Sequence, residues 1–323
     1  ERMFLRHMGE TALKNEKKKT KKRLKFRKKE LELYSLCIIP VLLIIAFCYV
    51  PMGGIIIAFK NYRYDKGIFG SDWVGFNNFK VFLQSRDFPK LIRNTVGMNA
   101  IFIITTTIIA LAIAILLYQV TSRGMTKFYQ TSLITPTFVS WVLVSYVVYA
   151  LLSPEAGVVN AIIRRMGGEN QNWYATPKIW PLVLTVCNAW KGVGMTSIYY
   201  YASLMGIDQT LFEAADIDGA GRWDKVRHIM LPSLVPIVTI LTIMSIGGIF
   251  NADFGLFYQV PRDVGALYDV TDVISTYTFR LMRVIGDMGT GTAVGLMQSL
   301  VGLILVILTN SISKKINKDL GLF

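Results

Sequence analysis

The 323-residue sequence is short of the groups that carry out chemistry. It has two histidines, His7 and His228, and neither has a plausible catalytic partner nearby in the sequence. Its three cysteines, Cys37, Cys48 and Cys187, lie in apolar runs without zinc-ligand spacing or the even count of a disulfide framework, so they read as core thiols. No metal site is expected. No G-x-x-x-x-G-K-[ST] phosphate loop occurs. The glycine-rich "GDMGTGTAVG" (Gly286–Gly295) has no following Lys, and its glycines suit helix packing. The chain therefore holds no cofactor of its own and is not read as an enzyme. Charge is also scarce, at 17% of residues where roughly a quarter is usual for a soluble domain.

What the sequence does have is apolar length. Hydrophobic residues make up 53%. A membrane helix needs about 20 mostly apolar residues, and six stretches qualify: 34–59, 95–118, 128–152 with Pro136 inside it, 179–204, 232–250 and 291–311. They are too long for barrel strands and do not alternate with period two. The expectation is an all-α, multi-pass membrane protein with six transmembrane helices. The first apolar run lacks a small-residue cleavage site and is read as staying in the membrane. None of the six contains Asp or Glu. Ion-coupled carriers usually need carboxylates at that depth, so a secondary carrier is the weaker reading. The chain reads as one that moves a solute without its own energy source.

Positive charge orients it. Residues 1–32 hold 13 of the 35 Lys and Arg against five acids. With Phe4 and Phe26 as its only Phe, Tyr or Trp rings for stacking on bases, this tail suits anionic lipid rather than nucleic acid. Both termini are placed in the cytoplasm, with 21 Lys and Arg on that side and 13 outside. The expected layout is a basic tail at 1–33, a first span at 34–59, an outer loop at 60–92, a core domain at 93–315 and a cytoplasmic end at 316–323. Within the outer connections, "GVVNAIIRRMGG" has the spacing of a short surface helix.

The cytoplasmic loop 205–231 contains "EAADIDGAGRWDKVRHIMLP" (Glu213–Pro232). Asp208 is a plausible N-cap, and Gly219 ends a helix of about three turns. Leu211, Ala214, Ala215 and Asp218 share one side of it, and Glu213 lies on a neighbouring face. After the Gly219–Ala220–Gly221 elbow, Trp223, Val226 and Met230 give a second short helix an apolar stripe, while Arg222 and Lys225 lie off it. Leu231–Pro232 then opens the fifth span.

This stretch resembles the cytoplasmic signature of permease subunits in binding-protein-dependent ABC importers: E-A-A, three residues, G, nine residues, I-x-L-P. Glu213, Ala214, Ala215, Gly219, Ile229, Leu231 and Pro232 fall in register, and Asp218 and Ala220 match an extended form. Val226 stands where Phe is usual. The likeness runs from about Arg93 to Lys315, and "YVPMGGIIIAFKNY" and the last third resemble a subgroup importing aldouronate and alginate oligosaccharides.

The resemblance implies a type I ABC importer permease fold in the bacterial inner membrane. It implies a second homologous permease as partner, together with two cytoplasmic ATPase subunits that hold ATP and Mg, and an extracytoplasmic solute-binding protein. It further implies that Glu213 is the docking anion, Ala214 and Ala215 the close-contact surface and Gly219 the turn, with Leu211, Asp218 and Arg222 beside them. A sugar, as an oligosaccharide, is the expected cargo; a peptide or lipid-linked cargo is the alternative.

A sugar needs hydrogen-bond partners and ring faces. Inside or at the ends of spans these are offered by Asn188, Trp190, Lys191, Tyr199, Asn251 and Tyr146. Lys191 is the sharpest candidate, because a mid-span cation should face protein or water. It is expected to meet a substrate carboxylate, to snorkel, or to pair with Asp253.

Overall fold

The computed structural model describes residues 35–316. The expected tail 1–33, and all but the first residue of the expected end 316–323, lie outside the described residues. The chain divides into two compact units, residues 1–56 and 57–323.

In the described part of the first unit the chain is helical and its apolar side chains are exposed. This is helix α1 (Ser35–Phe59), which continues to the start of the second unit. It widens to a π-turn at Ile45–Tyr49, just before Pro51 removes a backbone donor. Cys37 and Cys48 sit on its exposed surface, so only Cys187 is the core thiol expected of all three. Apolar side chains exposed in this way suit a helix that faces lipid.

The second unit is built from long helices. A two-stranded hairpin, Lys60–Asn61 with Asp72–Trp73, is followed by α2 (Asn77–Leu83) and α3 (Phe88–Tyr118). Next come α4 (Arg123–Ile134), α5 (Trp141–Leu152), the short α6 (Val158–Arg165) and α7 (Trp180–Leu204). The chain closes with α8 (Gln209–Ile217), α9 (Arg222–Gly247), α10 (Phe254–Gln259), α11 (Ile274–Arg280) and α12 (Met288–Ile316). A short helix forms in "GVVNAIIRRMGG" as expected, and it is α6. Asn160 on it is fully buried, accepting from the Trp173 indole (3.1 Å) and donating to the Gln171 carbonyl (2.9 Å).

Among the described residues, four helices are long and apolar enough to cross a membrane: α1, α3, α9 and α12. A fifth crossing is formed if the two halves of the bent pair, 123–138 and 141–152, make one span; they meet at 93°. The sequence had suggested one span over 128–152. The break has a local cause. Pro136 cannot donate, Val139 leaves the helix in an extended conformation, and the Ser140 hydroxyl accepts from Leu143 N–H (3.3 Å) to start a new helix.

Asparagines and threonines pin the apolar helices together. On α3, Asn94 donates to the carbonyls of Asp269 (2.9 Å) and Asp272 (3.0 Å), and the Thr95 hydroxyl accepts from Ile274 N–H (3.0 Å). Asn99 reaches the carbonyl of Ile249 (2.8 Å). Such bonds tie α3 to the segment between α10 and α11 and to the end of α9. Two helices approach closely at Gly194. A Cβ there would lie 1.8 Å from the Leu133 carbonyl oxygen, which brings α7 backbone-to-backbone against α4.

Candidate functional site: a helical elbow and two cavities

The elbow is assembled from local rules. Asp208 caps α8, its carboxylate accepting from Thr210 N–H at 3.0 Å. That hydrogen bond holds the Asp208 carboxyl below its ordinary 3.8. A lowered folded pKa gives stability that is present above the ordinary value and is lost as pH falls through the lowered one. The cap is therefore fully formed at neutral pH. In Asp208→Ala, amide exchange at Thr210, Leu211 and Phe212 is expected to speed several-fold relative to α7; unchanged exchange would show that the cap contributes nothing.

At the other end, Gly219 takes φ +73°, and two backbone bonds close the helix: Gly219 N–H to Asp216 O (3.1 Å) and Ala220 N–H to Ala215 O (2.9 Å). This is the paired termination that a left-handed glycine permits. Gly221 then starts α9, with its N–H donated to the Asp224 carboxylate (3.0 Å).

Two contacts tie the elbow together that the sequence did not reveal. Phe212 is buried, its ring 5.7 Å from that of Tyr118. It shares one apolar cluster with Ala110 and Ala114 of α3, Tyr200 and Leu204 of α7, and Val226, Met230 and Leu234 of α9. Lys225 forms an ion pair with Asp216 across the elbow. The available signal for Phe212 was that it is the one aromatic in α8.

The second arm also differs from the short helix expected before Pro232. Residues 222–247 form one continuous helix. Pro232 lacks an N–H, and the turn before it, Val226–Met230, widens to π geometry rather than ending the helix. Displacement of α8 thus acts on α9 without a second joint. On α8, Leu211, Glu213, Ala214 and Asp218 are exposed and Ala215 is half-buried; Arg222, beyond the elbow, is exposed. The face presented outward is short and polar at its rim, and Leu211 and Ile217 supply its apolar part.

Two open cavities lie among the helices. One, of about 450 Å³, is bordered by α3, α7 and α9 and lined by Thr106, Thr107, Asn188, Thr196, Tyr199 and Ser245 among others. Asn188 donates to the Thr106 hydroxyl at 3.4 Å. The other, of about 440 Å³, lies where α9 ends and includes Asn251. The sequence candidates therefore separate. Asn188 and Tyr199 come together in the first cavity and Asn251 lines the second. Trp190 and Tyr146 are exposed and line neither.

Lys191 is engaged at the helix break. Its ammonium donates to the Val139 carbonyl (2.6 Å) and lies 4.6 Å from the centre of the Trp141 ring, while its own carbonyl accepts from Thr137 (2.9 Å). The suggested pairing with Asp253 does not form. Asp253 accepts instead from the Trp141 indole N–H at 2.7 Å, so that cation and carboxylate are both engaged by the same indole. Among the described residues no cluster of His, Cys, Asp and Glu could hold a metal ion.

Comparison with known proteins agrees with this architecture. Protein LplB of Bacillus subtilis (strain 168) is 33% identical over 92% of both chains. The polygalacturonan/rhamnogalacturonan transport system permease protein YteP of the same organism is 32% identical over 94% of both. Among solved structures, a bacterial ABC transporter involved in import of the acidic polysaccharide alginate has a chain that superposes with a TM-score of 0.81. That chain is 30% identical, with 90% of this chain and 97% of that one covered. A second structure, the bacterial alginate ABC transporter in complex with an alginate pentasaccharide-bound periplasmic protein, gives 0.80 at 30% identity, covering 90% and 96%. Residues 106–318 match the family described as binding-protein-dependent transport system inner membrane component, and this chain is a member of that family of multi-pass permeases.

Proposed function

We propose that this chain is the transmembrane subunit of an ATP-driven importer and forms half of the path for an oligosaccharide. The observation that carries the reading is the elbow. An exposed short helix is anchored by Phe212 into a cluster shared by α3, α7 and α9, so a partner gripping α8 moves three long helices together. Glu213, Ala214 and Ala215 form the gripped surface, with Leu211, Asp218 and Arg222 at its edge, and Gly219 sets the bend. The partners are two cytoplasmic ATPase subunits, a second homologous permease and an extracytoplasmic solute-binding protein. That a related importer was solved with a substrate-bound periplasmic protein supports the last of these.

Six spans follow if α7 is counted. Its 25 residues reach about 37 Å at 1.5 Å per residue, enough to cross, and its Asn188, Thr196 and Tyr199 line the cavity it shares with α3 and α9. Both termini then lie in the cytoplasm with α8. The cavity's hydroxyls and the Asn188 carboxamide suit a sugar, as do the polysaccharide systems to which YteP and the alginate importer belong. Reconstituted with its partners in liposomes, the chain should import an oligosaccharide only with ATP inside the ATPase compartment. Import of peptides and no sugar would refute the cargo.

Lys191 serves the break between the halves of the bent pair rather than a substrate charge. Lys191→Met leaves the Val139 carbonyl unpaired, a loss of about 1.5–3 kcal/mol for a bond to a charged donor. Uptake of neutral and acidic oligosaccharides by this variant is expected to fall about equally, together with thermal stability in detergent. A loss confined to acidic sugars would return Lys191 to the substrate.

A further inference from the structure

The second cavity holds polar groups that neither the elbow nor the first cavity uses. Among the described residues, two buried side-chain oxygens lack a hydrogen-bond partner, those of Tyr174 and Thr278. Thr278 lines this cavity and is 8% exposed. A buried hydroxyl without a partner is costly unless something else satisfies it. Other lining groups are also available. Asn251 is exposed and makes no side-chain hydrogen bond among the described residues. Gln298 is fixed by donating its amide to the Phe250 carbonyl (2.7 Å), and this leaves its side-chain oxygen free. One wall is aromatic: Phe254 and Phe279 pack with ring centres 4.9 Å apart. The cavity lies at the end of α9 remote from the elbow, and its volume of about 440 Å³ falls in the roughly 300–1,000 Å³ range of small-molecule sites.

Donors and acceptors on one side and ring faces on the other match a glycosyl unit, which has hydroxyl edges and apolar C–H faces. Charge narrows the choice. The one charged lining residue is Asp253, whose two carboxylate oxygens accept from Trp141 (2.7 Å) and from Leu256 N–H (3.2 Å). A uronate here would set a second carboxylate against the first with no lining cation, and like charges in one site disfavour each other. We propose that this cavity is a saccharide subsite that takes an uncharged glycosyl unit. The assignment rests on the importer reading above and specifies its substrate class at this position.

The test uses the complete importer in liposomes and four labelled tetrasaccharides: 1,5-arabino-, 1,4-galacto- and 1,4-xylotetraose, and 1,4-tetragalacturonate. The wild type is expected to import at least one neutral sugar faster than the galacturonate. Thr278→Val and Asn251→Ala should each raise the half-saturating concentration of that sugar about three- to ten-fold, the size of one or two lost hydrogen bonds, and Thr278→Ser should restore it. Asp253→Asn should narrow the gap between neutral and acidic sugars. Asn251 is exposed and unbonded, so its variant keeps the test sound if Thr278→Val fails to assemble. If sugars are imported but both variants match the wild type, the subsite is wrong and the importer reading stands. If galacturonate is imported as well as the neutral sugars and Asp253→Asn changes nothing, the uncharged assignment falls. If no sugar enters while solute-stimulated ATP hydrolysis persists, both readings fall.

Discussion

Gly219→Val is expected to reduce sugar uptake at least ten-fold while the subunit still inserts and ATP hydrolysis by its partners continues. The reason is conformational rather than steric. A Cβ at this position would meet nothing within 4 Å, but the backbone stands at φ +73°. A β-branched residue in that region costs of order 1–3 kcal/mol. The chain relieves it by giving up the two bonds that end α8, at Asp216 and Ala215. The helix then no longer meets α9 at a fixed angle, and motion imposed on Glu213 and the alanines is absorbed in the elbow. Gly219→Asn, which tolerates the left-handed region, should keep most of the coupling. The ratio of sugar transported to ATP hydrolysed, measured in proteoliposomes, separates the three proteins. A wild-type ratio in Gly219→Val would mean that the bend does not transmit force.

Gly194→Ala is expected to cost the fold itself. Its Cβ would fall 1.8 Å from the Leu133 carbonyl oxygen and 2.5 Å from the carbon. Those are backbone atoms next to the break between the halves of the bent pair, and they cannot swing aside as the end of a side chain can. Overpacking a core ordinarily costs about 1–3 kcal/mol, and a rigid backbone neighbour puts this site at or above the top of that range. Thermal unfolding in detergent should show a large loss of stability and a low yield of assembled complex. Gly97→Ala, where a Cβ meets nothing within 4 Å, should behave as the wild type or slightly better. Equal stability of the two variants would show that α7 and α4 are not in backbone contact.

The apolar runs and the elbow were legible in the sequence because both rest on local physics. About 20 apolar residues signal a span whatever the neighbours are, and Asp208 and Gly219 announce the ends of α8 through cap chemistry alone. Tertiary features were not legible. Pro232 looked like the start of a helix, but it sits inside one that begins at Arg222, because a preceding π-turn absorbs its missing donor. Pro136 looked like a kink in a span, but with Ser140 it marks a 93° break. Lys191 was conspicuous as a mid-span cation, yet its partner is a carbonyl freed by that break, and no spacing in the sequence names it. Phe212 lay immediately before the signature, but its burial depends on Tyr118, 94 positions earlier, and on two other helices. Trp190 and Tyr146 have the right chemistry for a sugar, yet they are exposed and line neither cavity.

The central claim is that α8 is where the energy of ATP enters this chain. The most direct measurement is a cross-linking scan on the assembled importer, with Cys37, Cys48 and Cys187 replaced and single cysteines placed at Glu213, Ala215 and, as an outer-loop control, Gly167. The account predicts that cysteines at 213 and 215 cross-link to an ATPase subunit and that one at 167 does not. An importer that hydrolyses ATP and transports normally, with no cross-link at 213 or 215 or with one at 167 instead, would contradict it.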